Sequence, residues 1–157
     1  MDRIDLADCR ATVLGAGGAA RGVVAGLSGK GVCISVSSRR KSKASEVAAL
    51  VAGRVSEFPP DPDSWDVLVN TTPVGTFPEV ENSPIPKSAL RSGLVYDLVY
   101  NPPFTRLMGD AKESGCEVLG GLSMLVAQAL LQFKWWTALD CPEHIFRSAA
   151  EHQLRKA

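Results

Sequence analysis

Short apolar runs that suit β-strands alternate along this chain with segments whose apolar residues have helical spacing. The strand candidates are Ala11–Leu14, Val32–Val36, Asp66–Asn70, Leu94–Val99 and Glu117–Leu119. Two helical segments have apolar residues at i, i+3, i+4 and i+7, namely Ala20, Val23, Val24 and Leu27, and then Ala44, Val47, Ala48 and Val51. Strands that alternate with helices usually pair in parallel beneath those helices. The order predicts a three-layer α/β fold, a mostly parallel twisted sheet with helices on both faces.

The length and composition suit one globular domain, residues 1–157. Of the 157 residues, 45% are hydrophobic and 22% are charged, so the chain can bury a core of its own. Lysine plus arginine number 17, and aspartate plus glutamate also number 17. This balance provides no basic field for nucleic acid or for an anionic membrane, and we expect neither as a partner.

The cysteines and the N-terminal residues argue against a metal site and a secretion signal. The 4 cysteines form no CxxC pair, and the 2 histidines both lie near the C-terminus. The opening residues, MDRIDLADCR, lack the apolar segment of a signal peptide or a membrane span. The expected location is the cytoplasm, or a plastid if the protein comes from a plant.

Prolines mark the ends of regular structure in the remaining segments. Phe58–Ser64 and Thr72–Pro86 are predicted to be loops, because proline fixes its own backbone angle and lacks the amide donor. Pro142–Lys156 predicts a charged amphipathic helix that begins at a proline.

A glycine-rich loop follows the first strand candidate and precedes the first helical segment. Its pattern is G-x-G-x-x-A, and the residues before the final alanine are Gly15, Ala16, Gly17, Gly18 and Ala19. Gly15 allows a tight turn, Gly17 lets the backbone approach a pyrophosphate, and Ala20 lets the helix pack closely on the strand. The helix N-terminus then offers free N–H groups to the phosphates. The pattern predicts a Rossmann-type dinucleotide site; the alternative is a glycine-rich turn without a ligand.

The end of the second strand candidate indicates which dinucleotide binds. An NAD site usually has an acidic residue about 20 residues past the loop, where it binds the ribose 2′-hydroxyl. Residues 35–43 contain no acid and offer instead the candidates Ser38, Arg39, Arg40 and Lys43. A hydroxyl and guanidinium groups suit a 2′-phosphate, so this cluster predicts NADP(H). The alternative is solvated surface charge.

Five motifs in this order resemble the C-terminal domain of shikimate dehydrogenases. They are GAGGAARG, SSRRKSKA, VNTTPVG, YDLVYNP and GGLSMLVAQA, and the resemblance spans about residues 11–137. It implies an NADP-dependent oxidoreductase that reversibly reduces 3-dehydroshikimate to shikimate, on the route to chorismate and the aromatic amino acids. At the basic cluster the family usually has an Asn-Arg-Thr run followed by a further arginine, and the departures at Ser38, Arg40 and Lys43 keep or add positive charge, which leaves the preference for NADP(H) in place.

The resemblance also implies which residues surround the ligands. The cofactor cleft would be lined by Thr71, Pro73, Val74, Val99, Gly121 and Met124. Val99 and Gly121 would approach the nicotinamide, and Met124 would pack against its ring. Tyr100 and Gln128 would reach the shikimate hydroxyl groups.

Helical geometry supports part of this placement. At about 100° per residue, Gly121, Met124 and Gln128 share one face of a helix. A second face, predicted to meet the core, holds Leu122, Leu125, Val126, Ala129, Leu130 and Phe133. Without the resemblance, a plain polar surface explains the first face equally well, and Tyr100 would be a packing residue with a satisfied hydroxyl.

The resemblance further implies a domain that this chain lacks. Family members carry an N-terminal substrate domain with a catalytic lysine and aspartate, whereas this sequence begins just before the glycine loop. We therefore assign no catalytic residue here, and expect the isolated chain to bind cofactor without turnover. Two alternatives remain: a related quinate/shikimate dehydrogenase, and a non-catalytic NADP-sensing module.

Overall fold

Six strands form a fully parallel sheet in the computed structural model, which describes residues 6–155. The strands are β1 (Arg10–Leu14), β2 (Cys33–Ser37), β3 (Arg54–Ser56), β4 (Val67–Asn70), β5 (Leu94–Asp97) and β6 (Glu117–Leu119). The helices are α1 (Gly18–Leu27), α2 (Lys41–Ala48), α3 (Arg106–Glu113), α4 (Leu122–Thr137) and α5 (Glu143–Leu154). Across the sheet the order is β3-β2-β1-β4-β5-β6, with parallel neighbours throughout. This is the Rossmann order, and it confirms the predicted fold class.

The sheet differs from the sequence prediction by more than one residue at two places. The strand β3 was not predicted, because a segment of only three residues at the sheet edge is too short to give a period-two pattern. The strand β5 ends at Asp97, whereas the prediction extended it to Val99. The backbone N–H of Val99 donates to the Asp97 carboxylate at 3.0 Å, so the chain leaves the sheet there.

Successive residues of the central strands face opposite sides of the sheet, and each side has its own apolar core. On one side, Val13 and Val69 belong to the core that includes residues of α1 and α2. On the other side, Leu14 and Leu68 belong to the core that includes residues of α3. Apolar residues buried on both sides are typical of a sheet covered on both faces, as predicted.

The predicted apolar faces of the first two helices are largely confirmed. In α1, Ala20 and Val24 are fully buried, and in α2 Ala44 and Val47 are fully buried. Burying a valine side chain stabilises the fold by roughly 1.5–3 kcal/mol, so these contacts hold α1 and α2 on the sheet.

The helix α4 packs against α5, which corrects the prediction that its apolar face meets the core. Of that face only Val126 is fully buried, and its other members are half-buried. The rings of Phe133 and Phe146 pack edge to face with centroids 5.7 Å apart, joining α4 to α5. The helix α5 begins at Glu143, directly after Pro142, where the prediction placed its start, whereas Lys156, the predicted end of the helix, lies outside the described residues.

The predicted loops contain little regular structure. The first includes a short 3-10 turn at Pro62–Ser64, and the second has no helix or strand between residues 72 and 86.

None of the helices between residues 6 and 155 has the length and apolarity needed to cross a membrane. Within the same residues, no cluster of three or more His, Cys, Asp and Glu side chains is arranged to hold a metal ion.

Candidate cofactor-binding site

The candidate site lies where the strand order reverses, between β1 and β4. In open parallel sheets, ligands bind in the crevice beyond the carboxyl ends of the strands at such a point. The glycine loop follows β1, and Thr71 follows β4. The Thr71 backbone N–H and hydroxyl both donate to the Leu14 carbonyl, at 3.0 and 2.6 Å, and so tie the two chain segments together at this edge.

Positions 15 and 17 of the loop are glycines for different structural reasons. Gly15 has φ +104°, and a Cβ atom there would lie 2.7 Å from the Thr71 hydroxyl oxygen, so only glycine fits. Gly17 is the N-cap residue of α1 and provides no side-chain cap, and a Cβ atom on it would meet no atom of residues 6–155 within 4 Å. The space beside Gly17 is therefore open, and the first N–H groups of α1 have no side-chain acceptor at the N-cap. Such a helix end fits a pyrophosphate.

The basic cluster follows β2, whose last residue, Ser37, accepts a hydrogen bond from the N–H of Gly15 in the glycine loop at 2.9 Å. The Ser38 hydroxyl accepts a hydrogen bond from the Arg40 backbone N–H at 3.4 Å. Arg39 and Arg40 are exposed, and neither side chain forms a salt bridge within the described part of the chain. These two guanidinium groups are thus open to a phosphate.

Lys43 differs from the two arginines because it already has a partner. Its ammonium group lies 2.8 Å from the Glu46 carboxylate, and Arg21 lies 3.6 Å from the same carboxylate. The hydrogen bond from Lys43 lowers the pKa of Glu46. Lys43 therefore already shares its charge with a carboxylate, whereas Arg39 and Arg40 form no such pair within residues 6–155.

A cleft of about 420 Å³ brings many of the predicted residues together. Its predicted lining residues are Ala19, Thr71, Pro73, Val99, Tyr100 and Met124. Four further lining residues were missed: Thr72, Thr76, Leu98 and Asn101. All but Thr76 lie inside the quoted motifs, so proximity in sequence to a predicted residue was the available signal. The predicted cleft residues Val74 and Gly121 and the substrate candidate Gln128 are not among the lining residues.

The two candidate substrate residues differ in position. Tyr100 lines the cleft with 43% of its surface exposed, so it is not a buried packing residue. Gln128 lies one helical turn after Met124 on α4 and is exposed to solvent.

Gly121 is buried at the start of α4 and fixes this helix against the loop that follows β5. Its N–H donates to the Val99 carbonyl at 3.2 Å. A Cβ atom on Gly121 would overlap with the Leu98 carbonyl group. The absence of a side chain therefore allows α4 to begin beside Val99, which places Met124 and Tyr100 on the same cleft.

Comparison with known proteins finds similarity to shikimate dehydrogenases. The family model of the shikimate 5′-dehydrogenase C-terminal domain matches residues 121–151. The shikimate dehydrogenase (NADP(+)) of Moorella thermoacetica is 37% identical over 151 residues, which cover 88% of this chain and 51% of that protein. The chain is homologous to the C-terminal domain of shikimate dehydrogenases.

Two further relatives extend the comparison with shikimate dehydrogenases. The chloroplastic bifunctional 3-dehydroquinate dehydratase/shikimate dehydrogenase of Arabidopsis thaliana is 37% identical over 146 residues, covering 90% of this chain and 24% of that protein. The crystal structure of the Thermus thermophilus shikimate 5-dehydrogenase with NADP(H) and shikimate has a TM-score of 0.84 at 34% identity. It is matched over 92% of this chain and 55% of that one. The chain thus spans about half the length of the Moorella and Thermus shikimate dehydrogenases.

Proposed function

We propose that this chain is the NADP(H)-binding part of a shikimate dehydrogenase, which reversibly reduces 3-dehydroshikimate to shikimate with NADPH. One observation carries the proposal: the open glycine loop and the unpaired Arg39 and Arg40 follow the neighbouring strands β1 and β2. A single dinucleotide can therefore place its pyrophosphate beside Gly17 and its 2′-phosphate between the two arginines. The same molecule would extend its nicotinamide into the cleft that Val99 and Met124 line.

The relatives support the choice of cofactor and substrate. The Moorella relative is named as an NADP(+) enzyme, and the Thermus relative binds NADP(H) and shikimate. The Arabidopsis relative is chloroplastic and bifunctional. The cytoplasm, or a plastid for a plant protein, stays the location that we predict from the sequence.

The residues of this chain would bind and orient the reactants. Bound NADPH supplies a hydride from its nicotinamide ring to the ketone carbon of 3-dehydroshikimate. Val99 and Met124 would hold the ring at one side of the cleft, with Gly121 setting where α4 begins beside them, while Tyr100 and Gln128 would contact hydroxyl groups of the substrate.

The proton for the new hydroxyl would come from a group outside the present sequence. The resemblance assigns that role to a lysine of the N-terminal substrate domain, and about half of the Moorella and Thermus relatives lies outside the matched region. We therefore expect the 157-residue chain to bind NADP(H) but not to oxidise shikimate. Substantial NADP⁺-dependent oxidation of shikimate by the purified chain would contradict this expectation.

Calorimetry with NADP⁺ and NAD⁺ tests the cofactor assignment. Arg39→Ala should weaken NADP⁺ binding by about 1.5–3 kcal/mol, the range for a lost hydrogen bond to a charged group, and leave NAD⁺ binding unchanged. Lys43→Ala is the matched control, because Lys43 already pairs with Glu46 and its loss should have a smaller effect. An equal loss for both cofactors in Arg39→Ala would refute the 2′-phosphate role.

A further inference from the structure

A buried carboxylate lies directly before one of the two loops that line the cleft. We call residues 71–76, which follow β4, the β4 loop, and residues 98–101, which follow β5, the β5 loop; both contribute lining residues. Asp97 is the last residue of β5, and its side chain is fully buried. Its carboxylate forms no salt bridge within residues 6–155. Burial raises the pKa of Asp97, and an uncompensated charge there would be costly.

Neutral donors surround the Asp97 carboxylate instead of a cation. The oxygen Oδ1 accepts from the Asn70 amide at 2.8 Å and from the Val99 backbone N–H at 3.0 Å. The oxygen Oδ2 accepts from the Thr105 hydroxyl at 2.6 Å. One of these donors, the Val99 N–H, belongs to the β5 loop itself.

Asn70 makes the corresponding contacts to the β4 loop. It is the last residue of β4, fully buried, and lies opposite Asp97 in the register of the two strands. Its side-chain oxygen accepts from both the backbone N–H and the hydroxyl of Thr72, at 2.9 and 2.7 Å. The chain of contacts therefore runs from Thr72 through Asn70 and Asp97 to Val99, and both of its end residues line the cleft.

This link is not needed to pair the strands. The backbone ladder already joins β4 to β5 up to Asn70 and Asp97, and the Leu98 N–H donates to the Asn70 carbonyl at 3.0 Å. The side-chain link begins at this last ladder pair and extends to Thr72 and Val99, at the start of the two loops. The basic cluster lies at the end of β2, two strands away from β4 across the sheet.

We propose that Asp97, acting through Asn70 and Val99, is a positioning residue that sets the spacing of the β4 and β5 loops for the nicotinamide end of NADP(H). The inference rests on the proposed function, because it assigns the cleft between these loops to the nicotinamide. It predicts that loss of the link affects the nicotinamide half of the cofactor and not the adenosine half.

Calorimetry with NADP⁺ and with 2′,5′-ADP separates the two halves, because 2′,5′-ADP carries the 2′-phosphate but no nicotinamide. In the full chain, Asp97→Ala should weaken NADP⁺ about tenfold, as expected for the loss of about 1.4 kcal/mol, and leave the affinity for 2′,5′-ADP unchanged. Asp97→Asn is the matched control. It keeps an acceptor for Val99 and Asn70 while its amide can donate to the Thr105 oxygen, so NADP⁺ affinity should largely recover.

A second variant covers the case in which Asp97→Ala does not fold. Thr105→Val removes the donor to Oδ2, and with it the hydroxyl that caps α3 by accepting from the Met108 N–H, at a position outside the cleft lining. It should weaken NADP⁺ while leaving 2′,5′-ADP unchanged. If the folded variants bound NADP⁺ and 2′,5′-ADP with equally weakened affinity, or bound NADP⁺ as tightly as the unmodified chain, the positioning role would be overturned. The proposed function would not be affected by either result. Failure of the unmodified chain to bind either ligand would overturn the proposed function and this inference together.

Discussion

Gly121 and Leu98 approach so closely that a Cβ atom on Gly121 would overlap with the Leu98 carbonyl group. The φ angle of Gly121 is −72°, which any residue can adopt, so the requirement for glycine comes from space and not from backbone conformation. This contact fixes where α4 begins, and therefore where Met124 meets the cleft.

Gly121→Ala should destabilise the domain by about 1–3 kcal/mol, the usual cost of overpacking, and weaken NADP⁺ binding because α4 must shift. Urea denaturation and calorimetry measure the two effects. Gly22→Ala is the control: Gly22 lies within α1 with open space around it, so alanine should stabilise the helix by about 0.5–1 kcal/mol. A Gly121→Ala variant as stable as the unmodified chain would contradict the packing described.

Gly15 and Gly17 should respond differently to the same substitution. Gly17→Ala should leave the free energy of unfolding nearly unchanged, because its φ is −97° and the space beside it is open, yet weaken NADP⁺ by blocking the pyrophosphate. Gly15→Ala should destabilise the fold by at least about 1–2 kcal/mol, the cost of a left-handed conformation for alanine. Denaturation and NADP⁺ titration of both variants test this, and tight NADP⁺ binding by Gly17→Ala would contradict the pyrophosphate placement.

The Arg10–Asp66 pair should make stability depend on pH in the acid range. The Arg10 guanidinium donates to both Asp66 oxygens, at 2.6 and 3.0 Å, and lowers the pKa of Asp66 from 3.8 to about 2. Because the folded pKa lies below the ordinary value, the stabilisation is complete above about pH 4 and is lost as the pH falls to about 2.

Asp66→Asn tests this dependence. The difference in unfolding free energy from the unmodified chain should be largest near neutral pH and shrink toward about pH 2. It should stay below about 1 kcal/mol, because both side chains are more than 40% exposed. A difference that does not change with pH across this range would argue against the ion pair as its source.

Much of the fold was predictable because its elements have strong local patterns. The strand β1 and the glycine loop are recognisable from adjacent residues, and the helical spacing of Ala20 and Val24 indicates the buried face of α1. The sequence prediction failed where the pattern was too short, as in β3, or where the partner of a face was unknown, as in α4. The half-buried face of α4 meets α5 through Phe133, and helical spacing identifies a face but not the element that covers it.

By itself, the sequence determined the alternation of strands and helices, the glycine at the tight turn and the basic residues after β2, because these depend on neighbouring residues. The tertiary structure alone decided which distant polar groups meet. Asn70 and Asp97 are 27 residues apart, and only the parallel register of β4 and β5 places them side by side. Likewise, only the structure distinguished Lys43, which pairs with Glu46, from Arg39 and Arg40, which remain open to a phosphate. Such pairings depend on the order of the strands in the sheet and on how far side chains reach. The spacing of residues along the sequence gives no information about either.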